Sequence, residues 1–548
     1  MVYFGYPRNN QTLAWAMKSK NIKDIVIVGG GTAGWMTAAL LVKKYPDKNI
    51  TVIESTDIPT VGVGESTLSG INDYLHFLEL EDKDWMKECN ASYKLSIKFT
   101  DFYDKDSGGF HYPFGSPYVE NTQWGLWDWQ LFKNQYPDTP FEDFPKYYNP
   151  VSALYEKNKI SKNINKEFDN YSFKNDAAYH FDAALFGRYM RDKYCKPKGV
   201  KHIFGTVKDI NLYEDGVENL VLEDGSIYTA DLFIDCTGFK SLLLGGALKE
   251  PFESKEDQLV NNRAWAIQLP YKDKEKELQP FTNGTAIENG WCWNIPLWSR
   301  LGTGYVYSDK YVDPETAQKE FKKYLMSDKM VVPRNEKDLE GLTFKDIKMR
   351  VGIHNRTWVK NVVGIGLSAG FIEPLESNGL YSVHVFLFKL IKILDLPKVN
   401  QTDKDFYNAS TKGIFENFTQ FVSLHYALSH RDDTKYWQDI QRRSFNKNLI
   451  TLESDRSVGY FSFQDMFMFK GEFGELDAGI NYIATGLKYQ LLDDTFFIGK
   501  KKIFPNQDYE LIAKGIKANF LIRRKNWDDA AKDAPTLYEF LKEEIYKD

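Results

Sequence analysis

The β-branched run Ile25-Val26-Ile27-Val28 leads directly into Gly29-Gly30-Gly31-Thr32-Ala33-Gly34, and no other stretch constrains the fold as strongly. The residues that follow, Trp35 to Val42, have helical composition, and Ile50-Thr51-Val52-Ile53 reads as a second strand ending in Glu54. Strand, glycine turn, helix, strand and terminal acid in that order make up a dinucleotide-binding βαβ unit. Each glycine answers a separate physical need. Gly29 permits the tight turn, Gly31 admits a pyrophosphate to the backbone amides, and Gly34 lets helix and strand pack closely. Glu54 is placed to accept ribose hydroxyls. NAD and FAD both remain open at this point.

Two later strands bear on that choice. Asp231 to Gly238 reads as a buried strand ending in a glycine, preceded by a hairpin in which Leu220-Val221-Leu222 and Ile227-Tyr228 flank the turn Glu223 to Ser226. Asn361 to Gly366 repeats the pattern. Several glycine-terminated strands returning to one sheet suggest a ligand lying along the sheet's carboxyl edge, which favours FAD as the longer molecule.

Three further segments carry chemistry. Phe371-Ile372-Glu373-Pro374-Leu375-Glu376-Ser377-Asn378-Gly379 runs into Leu380 to Leu394, a buried helix that Ser377 or Asn378 can cap. The leading amides of Asn378 and Gly379 would then face outward with the positive end of the helix dipole. Such an end can hold an anion, or simply begin a structural helix. In Trp291-Cys292-Trp293-Asn294-Ile295-Pro296, alternation puts Trp291, Trp293 and Ile295 on one face of a strand that Pro296 ends. The pair of indoles is either core packing or a wall beside a cofactor. Tyr93 to Phe99 alternates cleanly, which by itself gives a strand with Lys94, Ser96 and Lys98 on a solvated face. Phe110-His111-Tyr112 reads as pocket lining or as an aromatic cluster folded into the core.

Composition sets the outer limits. The 548 residues are 43% hydrophobic and 27% charged, an ordinary globular balance. Lys+Arg 70 against Asp+Glu 76 gives a net charge of -6, without the basic field of a nucleic-acid binder. The most apolar stretch, Val383 to Leu396, is interrupted by Lys389 and Lys392 and falls short of the about 20 apolar residues a membrane span needs. The first twenty residues lack the apolar core of a secretory signal. Cys89, Cys195, Cys236 and Cys292 are scattered, without the spacing of a zinc site or a disulfide framework, and a reducing cytoplasm is the expected location. No metal site is expected.

Taken together, the Gly29 to Gly34 fingerprint, Trp291-x-Trp293-x-Ile295-Pro296 and Phe371-x-x-Pro374-x-x-Ser377-x-Gly379 resemble the three signature motifs of the flavin-dependent halogenases, in the branch that includes the tryptophan halogenases. Val61 to Thr67, Asp231 to Gly238, and His425-Tyr426 followed by Arg431-Asp432-Asp433 add to the likeness, which spans about residues 23 to 440. The resemblance implies an α/β fold of the FAD-binding, Rossmann-like flavoprotein monooxygenase type, with a substrate-binding sheet and a mainly helical C-terminal region. Residues 1–22 would form an N-terminal extension, 23–440 the FAD-binding core with interleaved substrate-binding segments, and 441–548 a helical lid region.

The same resemblance implies a chemistry. FAD would arrive reduced from a separate NAD(P)H-dependent flavin reductase, and with oxygen and a halide ion (chloride, bromide or iodide) would yield hypohalous acid. Gly29, Gly31, Thr32, Ala33, Gly34, Glu54, Gly64, Glu65, Asp235, Gly238 and Gly366 would hold FAD, and the amides of Asn378 and Gly379 the halide. Trp291 and Trp293 would keep substrate off the flavin, with Phe110 and His111 lining the substrate pocket. Lys94 matches the family's lysine, which captures the oxidant, and Glu376 the glutamate that orients or polarises it. The substrate would be an aromatic or heteroaromatic small molecule, and a homodimer is compatible with the family. Two features depart from the pattern. Leu367 follows Gly366 where related flavin monooxygenases carry an acid, and the aromatic stretch Tyr460 to Phe497 does not match the indole-clamping residues of the tryptophan-specific enzymes.

Overall fold

In a computed structural model, the described residues are 22–56, 64–115, 117–118, 127–162, 168, 171–443, 474–488 and 506–547. A six-stranded sheet runs in the order Trp358–Val359, Val362–Gly364, Leu232–Asp235, Asp24–Val28, Asn49–Glu54, Lys201–Phe204. Its strands pair in parallel except for the antiparallel edge strand Trp358–Val359. The central strands are buried on both faces, as continuous Val/Ile runs require of a parallel sheet. The helix Thr32–Lys44 follows the first strand and buries Trp35, Met36 and Leu40 against the sheet and the helix Gly379–Leu394. The hairpin expected around Glu223–Ser226 is present, with Val221 opposite Ile227.

A seven-stranded, mainly antiparallel sheet is ordered Lys345–Lys348, Arg263–Leu269, Leu301–Tyr307, Gly290–Pro296, Phe281–Ile287, Ser96–Thr100, Gly109–Pro113. Both sheets draw strands from separated parts of the chain, and one apolar core joins them. The fold is therefore mixed α/β with a Rossmann-like parallel sheet.

The segment Tyr93 to Phe99 is not one strand. Ser92–Lys94 pairs with Ala178–Phe181, whereas Ser96–Thr100 joins the large sheet. Leu95 is the joint, its amide donating to the Pro280 carbonyl at 2.7 Å. Because two sheets share this segment, the face carrying Lys94 and Ser96 is covered where the strands change sheet. The expected solvated face is corrected accordingly, with Lys94 and Ser96 each 0% exposed, while Lys98 stays half-buried.

Beyond residue 441 the described elements are mainly helical, the longest being Gly474–Gly486, Tyr509–Ala530 and Leu537–Glu544. The first lies against the strand Gly109–Pro113. Most of the aromatic stretch Tyr460 to Phe497 lies outside the described residues, as do 1–21 and 57–63. No described helix is long and apolar enough to cross a membrane.

Candidate active site

The glycine turn is built as its spacing requires. Gly29 has φ of 112° and donates its amide to the Ile53 carbonyl at 2.9 Å, so the turn is stitched to the neighbouring strand. A Cβ on Gly34 would fall 1.9 Å from the Gly29 carbonyl oxygen, so only glycine lets the helix begin this close to the strand. A Cβ on Gly31, by contrast, would meet nothing within 4 Å. Gly31 faces a cavity.

That cavity, of about 600 Å³, is lined at one end by Gly29, Gly31, Thr32, Ala33 and Glu54. It passes Gly64, Glu65, Gly238 and Gly366 and reaches Trp291, Trp293, Asn378 and Gly379. A Cβ on Gly238 would also meet nothing within 4 Å. Open cradles at Gly31 and Gly238, a helix N-terminus at Thr32 and an acid at the strand end fit the residues to a dinucleotide cofactor such as FAD. Glu54 already has a partner, since His202 Nε2 lies 2.8 Å from its Oε2.

Asp235 is a correction. It is fully buried and absent from the cavity wall, because its carboxylate accepts from the amides of Thr237, Leu243 and Leu244 at 2.7 to 3.0 Å. It shapes the turn that presents Gly238. Gly34 likewise stays off the wall and acts through packing.

The two tryptophans share a face, as alternation predicts, and both line the cavity, with ring centroids 6.3 Å apart. The closeness of Trp293 to the neighbouring strand depends on Gly304, where a Cβ would fall 2.1 Å from its ring. Trp291 Nε1 donates to Glu373 Oε2 at 2.7 Å. The same oxygen accepts from Asn261 at 2.8 Å and Tyr426 at 2.6 Å. Burial pushes the Glu373 carboxyl up, and these donors oppose that.

The loop Pro374 to Asn378 brings the remaining groups together. Ser377 has φ of 58° and, contrary to expectation, does not cap the following helix, nor does the side chain of Asn378. The Ser377 hydroxyl is committed elsewhere. It accepts from Lys94 Nζ at 2.9 Å and donates to Ser66 Oγ at 3.0 Å. The helix Gly379–Leu394 thus opens without a side-chain acceptor over its leading amides, and Asn378 and Gly379 face the cavity with partial positive charge. A Cβ on Gly379 would lie 3.8 Å from Glu65 Oε2. Burial, helped by the nearby charge of Asp182, pushes the Glu65 carboxyl up to about 7.

Lys94 also donates to the Thr67 carbonyl at 2.8 Å, and its ammonium sits 4.8 Å from the Phe114 ring centroid. Burial holds it well below the usual lysine range, with Glu376 pulling the other way. Glu376 is 0% exposed and has its Oε1 2.7 Å from His425 Nε2. Burial raises the Glu376 carboxyl, while His425 and Lys94 lower it. The Nδ1 of His425 lies 3.0 Å from the Phe421 carbonyl, which can only accept, so Nδ1 carries a hydrogen. The other ring nitrogen, Nε2, is the one turned to Glu376. Neither Lys94 nor Glu376 is on the cavity wall; the loop carrying Ser377 stands at that boundary.

Phe110 and His111 are also off the wall. Phe110 packs on Phe99 and against Gly486, and His111 stacks on Tyr155 at 4.1 Å with Ser96 Oγ 2.9 Å from its Nδ1. Of the two readings left open for this cluster, core packing is the one the geometry favours. The site also contains groups the motifs did not assign: Ser66, Thr282, His180, Glu373 and His425. Glu373 lay inside a recognised motif. His180 and Thr282 carry no local signal, since strand pairing alone brings them in.

The sequence profile of the tryptophan halogenase family matches residues 24–519. The chain is 34% identical to tryptophan 6-halogenase SttH of Streptomyces toxytricini over 449 residues, covering 78% of this chain and 82% of that protein. It is also 34% identical to tryptophan 7-halogenase RebH of Lentzea aerocolonigenes over 438 residues, 77% and 79% of the two chains. Among solved structures, VirX1 in its apo form superposes with a TM-score of 0.86 at 37% identity, covering 96% of this chain and all of that one. Motifs, fold and relatives agree: the chain belongs to the flavin-dependent tryptophan halogenase family.

Proposed function

We propose that this enzyme halogenates an aromatic or heteroaromatic small molecule through an oxidant delivered to Lys94. The observation that carries the reading is the hydrogen bond from buried Lys94 to Ser377, whose next two residues face the cavity. Gly29, Gly31, Thr32, Ala33 and Glu54 would hold the adenosine and pyrophosphate of FAD, and Gly64, Glu65, Gly238 and Gly366 the rest. Bound reduced FAD, with oxygen, would supply the oxidising equivalent that turns halide into hypohalous acid. The amides of Asn378 and Gly379 bind the halide, and Trp291 and Trp293 block the organic substrate from this chamber. Lys94 receives the oxidant beyond the Ser377 loop. Glu376 polarises it and stabilises the positive charge that develops on the ring. A separate NAD(P)H-dependent flavin reductase provides the reduced flavin.

The test is a panel of phenols, indoles and pyrroles incubated with the purified protein, a flavin reductase, FAD, NADH and each halide in turn, with products read by mass spectrometry. Halide-dependent halogenated products are expected. Hydroxylated products formed without halide would replace this reading with that of a monooxygenase.

A further inference from the structure

Lys94 does not stop at Ser377. Ser377 Oγ donates to Ser66 Oγ, Ser66 Oγ lies 2.6 Å from Thr282 Oγ1, and Thr282 Oγ1 lies 2.9 Å from His180 Nε2. The other ring nitrogen of His180 is 3.3 Å from Ser92 Oγ, which donates to the Pro296 carbonyl. All six side chains are buried, with Lys94, His180 and Ser92 at 0% exposure.

The direction of every hydrogen in this chain is fixed by its two ends. An ammonium can only donate and a carbonyl can only accept. Ser92 spends its hydrogen on Pro296, so toward His180 it accepts, and Nδ1 carries the imidazole hydrogen. Nε2 then has a free lone pair facing Thr282. Thr282 donates to Nε2, Ser66 donates to Thr282, Ser377 donates to Ser66, and Lys94 donates to Ser377. All donors point from the amine to the imidazole.

We propose that this file of hydroxyls is a proton relay that deprotonates Lys94, with His180 as its terminal base. The inference rests on the reading of Lys94 as oxidant carrier. An ammonium has no lone pair and cannot take a halogen. In the proposed step one Lys94 N–H bond breaks as its proton passes to Ser377, whose own proton moves to Ser66, that of Ser66 to Thr282, and that of Thr282 to Nε2, forming a new N–H bond. The free amine then reacts with hypohalous acid, R–NH2 + HOX giving R–NHX + H2O. Halogen transfer to the ring breaks N–X, forms C–X and leaves the displaced ring proton on nitrogen, R–NHX + ArH giving R–NH2 + ArX. Return of the His180 proton along the same file restores the ammonium. His180 and Thr282 are positioning residues here, acting through Ser66 and Ser377.

The surroundings suit a temporary proton store. Burial and the Lys94 charge hold His180 well below the usual histidine range, so it gives its proton back readily. The other titratable groups near the file are Glu65 at Ser66, and Glu376 with His425 at the Lys94 end.

The experiment compares wild type, Thr282→Val, Thr282→Ser and Lys94→Ala with reductase, FAD, NADH and bromide on indole, phenol and pyrrole, scoring brominated product per flavin oxidised between pH 6 and 9. Thr282→Val keeps the shape and removes the hydroxyl. Its yield should fall about 100-fold near neutrality and rise with pH, because the ammonium proton must then leave by another route. Thr282→Ser should restore both yield and profile. If Thr282→Val keeps the wild-type yield and profile, or if Val and Ser lower the yield equally with the profile unchanged, the relay is refuted. Lys94→Ala tests the parent reading separately. Bromination surviving in that variant, or absent from wild type across the three acceptors, would sink the carrier assignment itself.

Discussion

The indole N–H of Trp291 donates to Glu373 Oε2 at 2.7 Å, and this bond ties the W-x-W-x-I-P strand to the loop that carries Glu376, Ser377 and Asn378. The wall and the anion-binding turn are thus held as one unit by a single buried carboxylate. Glu373→Leu would leave the Trp291 and Tyr426 donors without their acceptor, while Asn261 keeps the Tyr426 and Tyr436 hydroxyls, at a cost of about 1–3 kcal/mol for each group left unmatched. The expected result is a lower melting temperature and more hydrogen peroxide released per flavin oxidised. Glu373→Gln, which keeps an acceptor oxygen, should recover most of both. Equal behaviour of the Leu variant and wild type would show that the bond does not hold the wall.

Lys94→Ala should abolish halogenated product while flavin oxidation and peroxide release continue, because the flavin cavity does not include the lysine. Product analysis alongside peroxide measurement checks this. Halogenation at the wild-type rate would contradict the assignment.

Glu376→Gln removes the carboxylate that lies 2.7 Å from His425 Nε2 and opposes the Lys94 charge. Halogenation should slow by about 10- to 1,000-fold, the range for loss of one positioned polar group. Single-turnover product formation measures this directly, and an unchanged rate would remove Glu376 from the reaction.

Halide binding should weaken as pH rises through about 7, where Glu65 ionises. Burial raises this carboxyl, so below that pH it is neutral and tolerates an anion near Gly379; above it, like charges repel. The concentration of bromide giving half-maximal product should rise about tenfold from pH 6 to pH 8, equivalent to about 1.4 kcal/mol. Glu65→Gln should flatten the dependence. A wild-type bromide requirement that stays constant across this range would place the halide away from Glu65.

The sequence by itself determined what depends on neighbours along the chain. The parallel sheet follows from Val/Ile runs ending in glycines. The turn at Gly29 to Gly34 follows from the spacing of its glycines, and the shared face of Trp291 and Trp293 from the two-residue repeat of a strand. The positions of Asn378 and Gly379 at a helix start were equally legible. Tertiary structure alone decided the environments. Lys94 reads locally as one of three solvated polar positions, yet the change of sheet at Leu95 covers the face that carries it. Asp235 falls among the cofactor-holding residues by family resemblance, yet nearby amides consume its carboxylate. Ser377 reads as a helix cap, yet it is turned toward Lys94 and Ser66, which are hundreds of residues away in the chain. Alternation along a strand specifies which side a residue takes, but not what packs there, and the titration and proton traffic of a buried group depend on what packs there.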